Sequence, residues 1–198
     1  NKVLDPGKWA GVSDIAQDPR NPDVMIATSW QRIRRTYGYI AGGPESGIWR
    51  STDGGNTWRR SQSGIPNDAE LGRIGVAMSP VNPDVVYAII EASNDRGGTF
   101  RSRDGGVSWE KMSNYNTTGL YYSELFPDPV DVDRIYAVDV RNMVSEDGGR
   151  TFRPVGERNK HVDNHVIWVD PTHVDHMLFG WDGGVVGGDA GFVGGDGF

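Results

Sequence analysis

Short runs in which apolar and polar residues alternate follow one another along the whole chain. Examples are SDIAQ, VMIATSW, RIGVAM, VVYAII, RIYAVDV, HVIWV and HMLFGW. They are rich in β-branched and aromatic residues, and an apolar period of 3.6 is nowhere sustained, so they predict strands rather than helices. Two turn signatures punctuate them. One is DPRNPD at Asp18, SPVNPD at Ser79, DPVDVD at Asp128 and DPTHVD at Asp170. The other is STDGGNTW from Ser51, SRDGGVSW from Ser102 and SEDGGRTF from Ser145. The repeating unit is therefore strand, DP turn, strand, loop, strand, DGG turn, strand. The spacing from Asp128 to Asp147 leads from Asp170 to Asp189 in VGGDAGF, an eroded copy of the second signature. Repetition of this kind predicts an all-β chain, a β-propeller or part of one, built from four-stranded antiparallel blades. About four blades fill residues 1–186, and 187–198 form a glycine-rich tail.

The DGG turn has a physical role of its own. Its aspartate can accept hydrogen bonds from nearby backbone amides, and its glycines permit backbone angles closed to other residues. The aromatic residue that ends it can be buried between sheets. Stability thus accounts for Ser51, Asp53, Gly54, Gly55 and Trp58, for Ser102, Asp104, Gly105, Gly106 and Trp109, and for Ser145, Asp147, Gly148, Gly149 and Phe152. In a propeller both repeated turns lie on the lower face, which directs the search for a site to the upper one.

A net charge of −7 argues against a nucleic-acid binder, which needs a basic surface. No cysteine is present, no apolar run approaches a membrane span, and nothing calls for a cofactor. The beginning NKVLDPGKW, with neither initiator Met nor signal peptide, suggests a processed chain or a piece of a longer one.

Three features fall on the expected upper face. Residues 31–45 form a long loop that gathers Arg32, Arg34, Arg35, Tyr37 and Tyr39, a combination suited to carboxylate, sugar or protein recognition. If residues 161–165 are a strand, His161, Asp163 and His165 share a face and could hold a divalent metal. Register from the DP turn aligns Ser13 and Ser123 with His165. Asp14 and Glu124 occupy equivalent positions on the opposite face and are candidate acid and base for glycoside hydrolysis.

The SxDGGxTW signature resembles the Asp-box, or bacterial neuraminidase repeat, of sialidases, xyloglucan hydrolases, sortilin-type receptors and photosystem assembly factors. Three phrases, GIWRSTDGGNTW, LGRIGVAMSPVNPDVVYA and GERNKHVDNHVIWVDP, are similar to the sortilin-like propellers of large secreted bacterial proteins. The resemblance runs from about Gly11 to Val186 and implies a location outside the cytoplasm. It implies first a non-enzymatic binding or scaffolding module that contacts a protein or glycan partner through upper-face loops, as a fragment or subunit of a larger assembly. The alternative it implies is a glycoside hydrolase. The sialidase (F/Y)RIP motif is absent, and QRIRR is only a faint echo of it.

Overall fold

The computed structural model describes residues 2–156 and 161–189, and among these the regular elements are all strands. Blade 1 comprises β1 (Ala10–Gln17) and β2 (Met25–Gln31), a protruding hairpin of β3 (Ile33–Arg35) and β4 (Gly38–Ile40), then β5 (Gly47–Ser51) and β6 (Arg59–Ser61). Blade 2 is β7 (Leu71–Met78), β8 (Val86–Ala92), β9 (Gly98–Ser102) and β10 (Glu110–Ser113). Blade 3 is β11 (Glu124–Pro127), β12 (Ile135–Val138), β13 (Met143–Ser145) and β14 (Arg153–Pro154). A three-stranded fourth sheet follows, β15 (His165 and its neighbours, Asn164–Val169), β16 (His176–Trp181) and β17 (Gly184–Asp189).

Each blade is an antiparallel meander whose strands pair in chain order, the hairpin being set aside as its own two-stranded sheet. This is a partial β-propeller. Of the glycine-rich tail, Gly187 to Asp189 complete β17, and residues 190–198 lie outside the described ones.

Apolar residues between successive sheets hold the blades together. Ile26, Ile48, Ile74 and Phe100 are buried between blades 1 and 2, and Tyr87, Ile89, Leu125 and Ile135 between blades 2 and 3. Tyr136, Val138, Ile167 and Phe179 are buried between blade 3 and the fourth sheet. Each large aliphatic side chain so buried contributes about 1.5–3 kcal/mol.

The two repeated turns are fastened to each other. The amides of Gly54, Gly105 and Gly148 donate to the carbonyls of Asp23, Asp84 and Asp133, at 3.1, 2.9 and 2.8 Å. Within the first DGG turn the Ser51 hydroxyl donates to Asp53 (2.8 Å), and the Gly55 amide donates to Ser51 Oγ (2.9 Å). The Thr57 amide and hydroxyl donate to the two Asp53 carboxylate oxygens at 2.8 and 2.6 Å. The same network recurs at Asp104 and Asp147. Both glycines of every copy have left-handed backbone angles, for example 68° and 83° at Gly54 and Gly55, which strain any residue with a side chain. Trp109 is buried and donates from its indole to Ser61, whereas Trp58 is only half-buried and Phe152 stacks on Tyr115.

The residue just before the box serine reaches the next blade. Arg50 Nε donates to the Gly105 carbonyl (2.8 Å), and Arg101 pairs with Asp133 at 2.6 Å. The third copy has Val144 at this position, buried among the apolar residues between blade 3 and the fourth sheet.

Candidate functional site

The inner strands share an irregularity at one level. Pairing shifts between Val12 and Asp14 in β1, between Leu71 and Ile74 in β7, and between Asn164 and Val166 in β15. In blade 3, Ser123 stands immediately before β11 with φ of 84°. Bulges re-aim side chains and are common beside active sites. Here they bring together groups that a count of alternating residues separates.

A cavity of about 190 Å³ opens at this level between β1, β7 and β11, lined by Ser13, Asp14, Arg73, Ser123, Glu124 and Phe126 among others. β7 packs against both β1 and β11, so Asp14 and Glu124 enter the cavity from either side of blade 2. Gly75, at the Asp14 and Glu124 position of blade 2, leaves room for the Ser123 carbonyl, and a Cβ there would lie 1.7 Å from that oxygen.

The two carboxylates differ in what they touch. Asp14 accepts the amides of Ile15 (2.8 Å) and Val76 (2.9 Å), one on each oxygen, and so ties blade 1 to blade 2. Burial nevertheless raises its pKa above the usual carboxylate range, against those two amides and the Arg73 charge. Glu124 makes one long contact, 3.5 Å to Arg73, and stays partly open to solvent. Its pKa is also raised, first by burial and then by the Asp14 charge, while Arg73 and His165 pull it down. Arg73 in turn lies over the Trp30 ring, 5.7 Å from its centre, and Arg32 lies 4.8 Å from it. The Trp30 indole is fixed by donating to the Ala41 carbonyl at 2.9 Å.

On the far side of Glu124, His165 Nε2 lies 2.6 Å from Asp182 Oδ1. Asp182 belongs to the two-residue Asp-Gly turn that joins β16 to β17, a sequence that favours tight hairpins. Tyr122 stacks beside the His165 ring and donates its hydroxyl to Asp163 at 2.7 Å. Burial and this acidic neighbour push the Tyr122 hydroxyl well above its ordinary pKa, so it remains a donor. Glu124, Arg73, His165, Asp182 and Tyr122 thus form one polar cluster on the upper face.

Several sequence expectations change. His161, Asp163 and His165 do not converge: His161 bonds to the Val162 carbonyl, Asp163 to Tyr122 and His165 to Asp182. The cause is that β15 begins only at Asn164 and Asp163 has a left-handed φ of 65°, which breaks the alternation. Among the described residues no group of His, Asp and Glu is placed to hold a metal ion. His165 is not remote from Glu124, because the bulge turns it toward that carboxylate. The segment 31–45 is not all loop, since Ile33–Arg35 and Gly38–Ile40 pair as a hairpin within it. Arg32, Arg34 and Arg35 are exposed on it, as are Tyr37 (89%) and Tyr39 (61%). Sequence reading passed over Arg73, Tyr122 and Asp182. The Asp182-Gly183 turn was the visible signal for the last of these.

Comparison with known proteins bears on what such a cluster does. No family model matches the chain. It is 28% identical to a xyloglucanase of Hypocrea jecorina over 142 residues, 65% of this chain and 15% of that protein. It is 26% identical to a xyloglucanase of Acetivibrio thermocellus over 186 residues, 83% of this chain and 20% of that protein. The chain thus spans a fifth or less of the length of these relatives. Among solved structures, a GH74 enzyme of Niastella koreensis superposes with a TM-score of 0.60 at 21% identity, covering 88% of this chain and 26% of the other. An ancestral GH74 enzyme gives 0.62 at 17% identity, covering 96% and 24%. YCF48 from Cyanidioschyzon merolae gives 0.51 at 14% identity, covering 96% and 58%.

The solved structures establish the propeller fold, and the curated relatives carry the resemblance toward xyloglucanases rather than sortilin-type receptors. They overturn the expectation of a non-enzymatic binding or scaffolding module, because the proteins that resemble this chain in sequence are glycoside hydrolases. No helix among the described residues is long and apolar enough to cross a membrane.

Proposed function

We propose that this chain is an Asp-box propeller segment of a glycoside hydrolase that acts on xyloglucan or a closely similar glycan. The supporting observation is its similarity to xyloglucanases over 83% of its length, together with the carboxylates gathered where its inner strands bulge. A polysaccharide substrate does not cross a membrane intact, so this reading places the reaction outside the cytoplasm.

Glycoside hydrolysis needs one carboxyl that donates a proton to the leaving oxygen and one carboxylate on the other side of the bond. Glu124 suits the first role, since burial and the neighbouring Asp14 charge keep its proton to higher pH than usual. Asp182 suits the second: it is solvent-facing, and one of its oxygens is held by His165, which leaves the other for a water molecule. Asp14, with both oxygens bound by amides, positions the inner strands instead. The exposed Tyr37 and Tyr39, with Arg32, Arg34 and Arg35, offer a flank on which the glycan can lie.

Release of reducing ends from xyloglucan tests this reading. Glu124→Gln and Asp182→Asn should each lower the rate by about 10²–10⁴-fold, the usual contribution of a general acid or base. Arg73→Gln removes a charge that lowers the Glu124 pKa, so the high-pH limb of activity should move to higher pH. Absence of hydrolysis by the wild-type protein, or full activity in both carboxamide variants, overturns the proposal.

A further inference from the structure

A second charged feature lies away from the upper-face cluster, on the side of blade 1 that meets blade 2. Arg50 of β5 and Arg59 of β6 stand directly opposite each other in register. The same register position in blade 2 pairs Arg101 with Glu110. Opposite charges so placed stabilise a sheet, and like charges destabilise it. Blade 1 therefore carries an unfavourable pair where its own repeat carries a favourable one.

Among the described residues no acid pairs with either arginine. Arg101 has a further acid, Asp133, at 2.6 Å. The residue at the same place in the preceding blade is Asp84, which is taken by Arg20 at 2.8 Å. Arg50 uses its Nε on the Gly105 carbonyl, and the Arg59 side chain makes no hydrogen bond or ion pair among the described residues. The two arginines line a cleft of about 350 Å³ together with Thr52, Thr57 and Val107, and no carboxylate lines it. Asp53 and Asp104, the acids of the flanking boxes, are held inside their own turns by Thr57 and Ser108. The Arg60 guanidinium, also at this edge, is turned to the carbonyls of Pro44 and Ser46.

We propose that this cleft is a binding site for an oxyanion, a carboxylate or sulfate gripped by the guanidiniums of Arg50 and Arg59. Arginine forks match such planar or tetrahedral anions through paired hydrogen bonds. The volume lies at the small end of ligand pockets, about 300–1,000 Å³, which leaves room for one sugar ring behind the anion. The source is thus either an acidic sugar or a free inorganic ion.

Titration calorimetry at low ionic strength decides, with digalacturonic acid, inorganic sulfate and neutral cellobiose as probes. One of the two anions should bind one-to-one while cellobiose does not. Arg59→Glu, which installs the charge pair of blade 2, should weaken that binding by at least about tenfold. The same variant should melt no lower than wild type in anion-free buffer. Arg59→Gln serves as a second variant, with the same loss expected. Tighter binding of digalacturonic acid identifies an acidic sugar, and binding of sulfate alone identifies the free ion; both support the site. Failure of both anions to bind, or undiminished binding in the two Arg59 variants, overturns it.

Discussion

Asp53 is held by the side chain of Thr57 first, then by the Thr57 amide and the Ser51 hydroxyl, and its pKa falls from 3.8 to about 2. At Asp147 burial is the largest single influence and raises the pKa, but the Thr151 hydroxyl and amide, with the Ser145 hydroxyl and the Arg150 amide, together outweigh it, and the result is again about 2. A carboxylate whose pKa is depressed on folding adds stability that is complete above its unfolded pKa and lost as pH falls through the folded one. Unfolding midpoints in urea should therefore decline from about pH 4 to about pH 2. In Asp53→Asn that decline should be shallower, because the position no longer titrates. Equal slopes in the two proteins would show that the turn does not depend on the charge. These residues were legible in the sequence because a turn that needs two left-handed glycines and an acceptor tolerates few alternatives. Arg73 was not legible. Its importance comes from lying between Trp30 and Glu124, which are distant from it in the chain and from each other.

Strands and their order followed from the alternation and the two turn signatures, which fix where each meander reverses. The site did not follow, because counting by twos assumes an unbroken pleat. Each bulge in β1, β7 and β15 shifts the count by a residue, and this is why His165 approaches Glu124 after being assigned to the other face. The hairpin of β3 and β4 was hidden for another reason: its arginines and tyrosines read as loop chemistry, while its strands are only three residues each. A two-stranded ribbon without a packed face is marginal by itself. Amides of Arg34 to Tyr39 should accordingly exchange with solvent far faster than those of β8, whose Val86 to Ile90 are fully buried. Protection of the hairpin equal to that of β8 in the isolated chain would mean that something covers it. Added xyloglucan oligosaccharide should slow exchange there if the glycan lies along this flank.

Taken as a whole, the molecule is a row of similar sheets in which each touches its neighbours, so its stability is close to a sum over junctions. Three apolar seams of comparable make-up join the four sheets, and among the described residues the main contacts between strands run within a sheet or between sheets adjacent in the chain. Such a row has no single nucleus to lose. A change in one blade should be felt mainly at its two seams, which allows the upper-face chemistry to vary while the lower-face turns stay fixed.

The arginine before the box serine adds a mechanical consequence. It works as a hook that catches the following blade, through Gly105 for Arg50 and through Asp133 for Arg101, and Val144 leaves the third junction without one. Links in series part at the weakest. When the chain is stretched between its ends in a single-molecule experiment, the fourth sheet should peel away first, at lower force than the rupture of the hooked blades. Rupture of blade 1 or 2 ahead of it would show that the hooks carry no load.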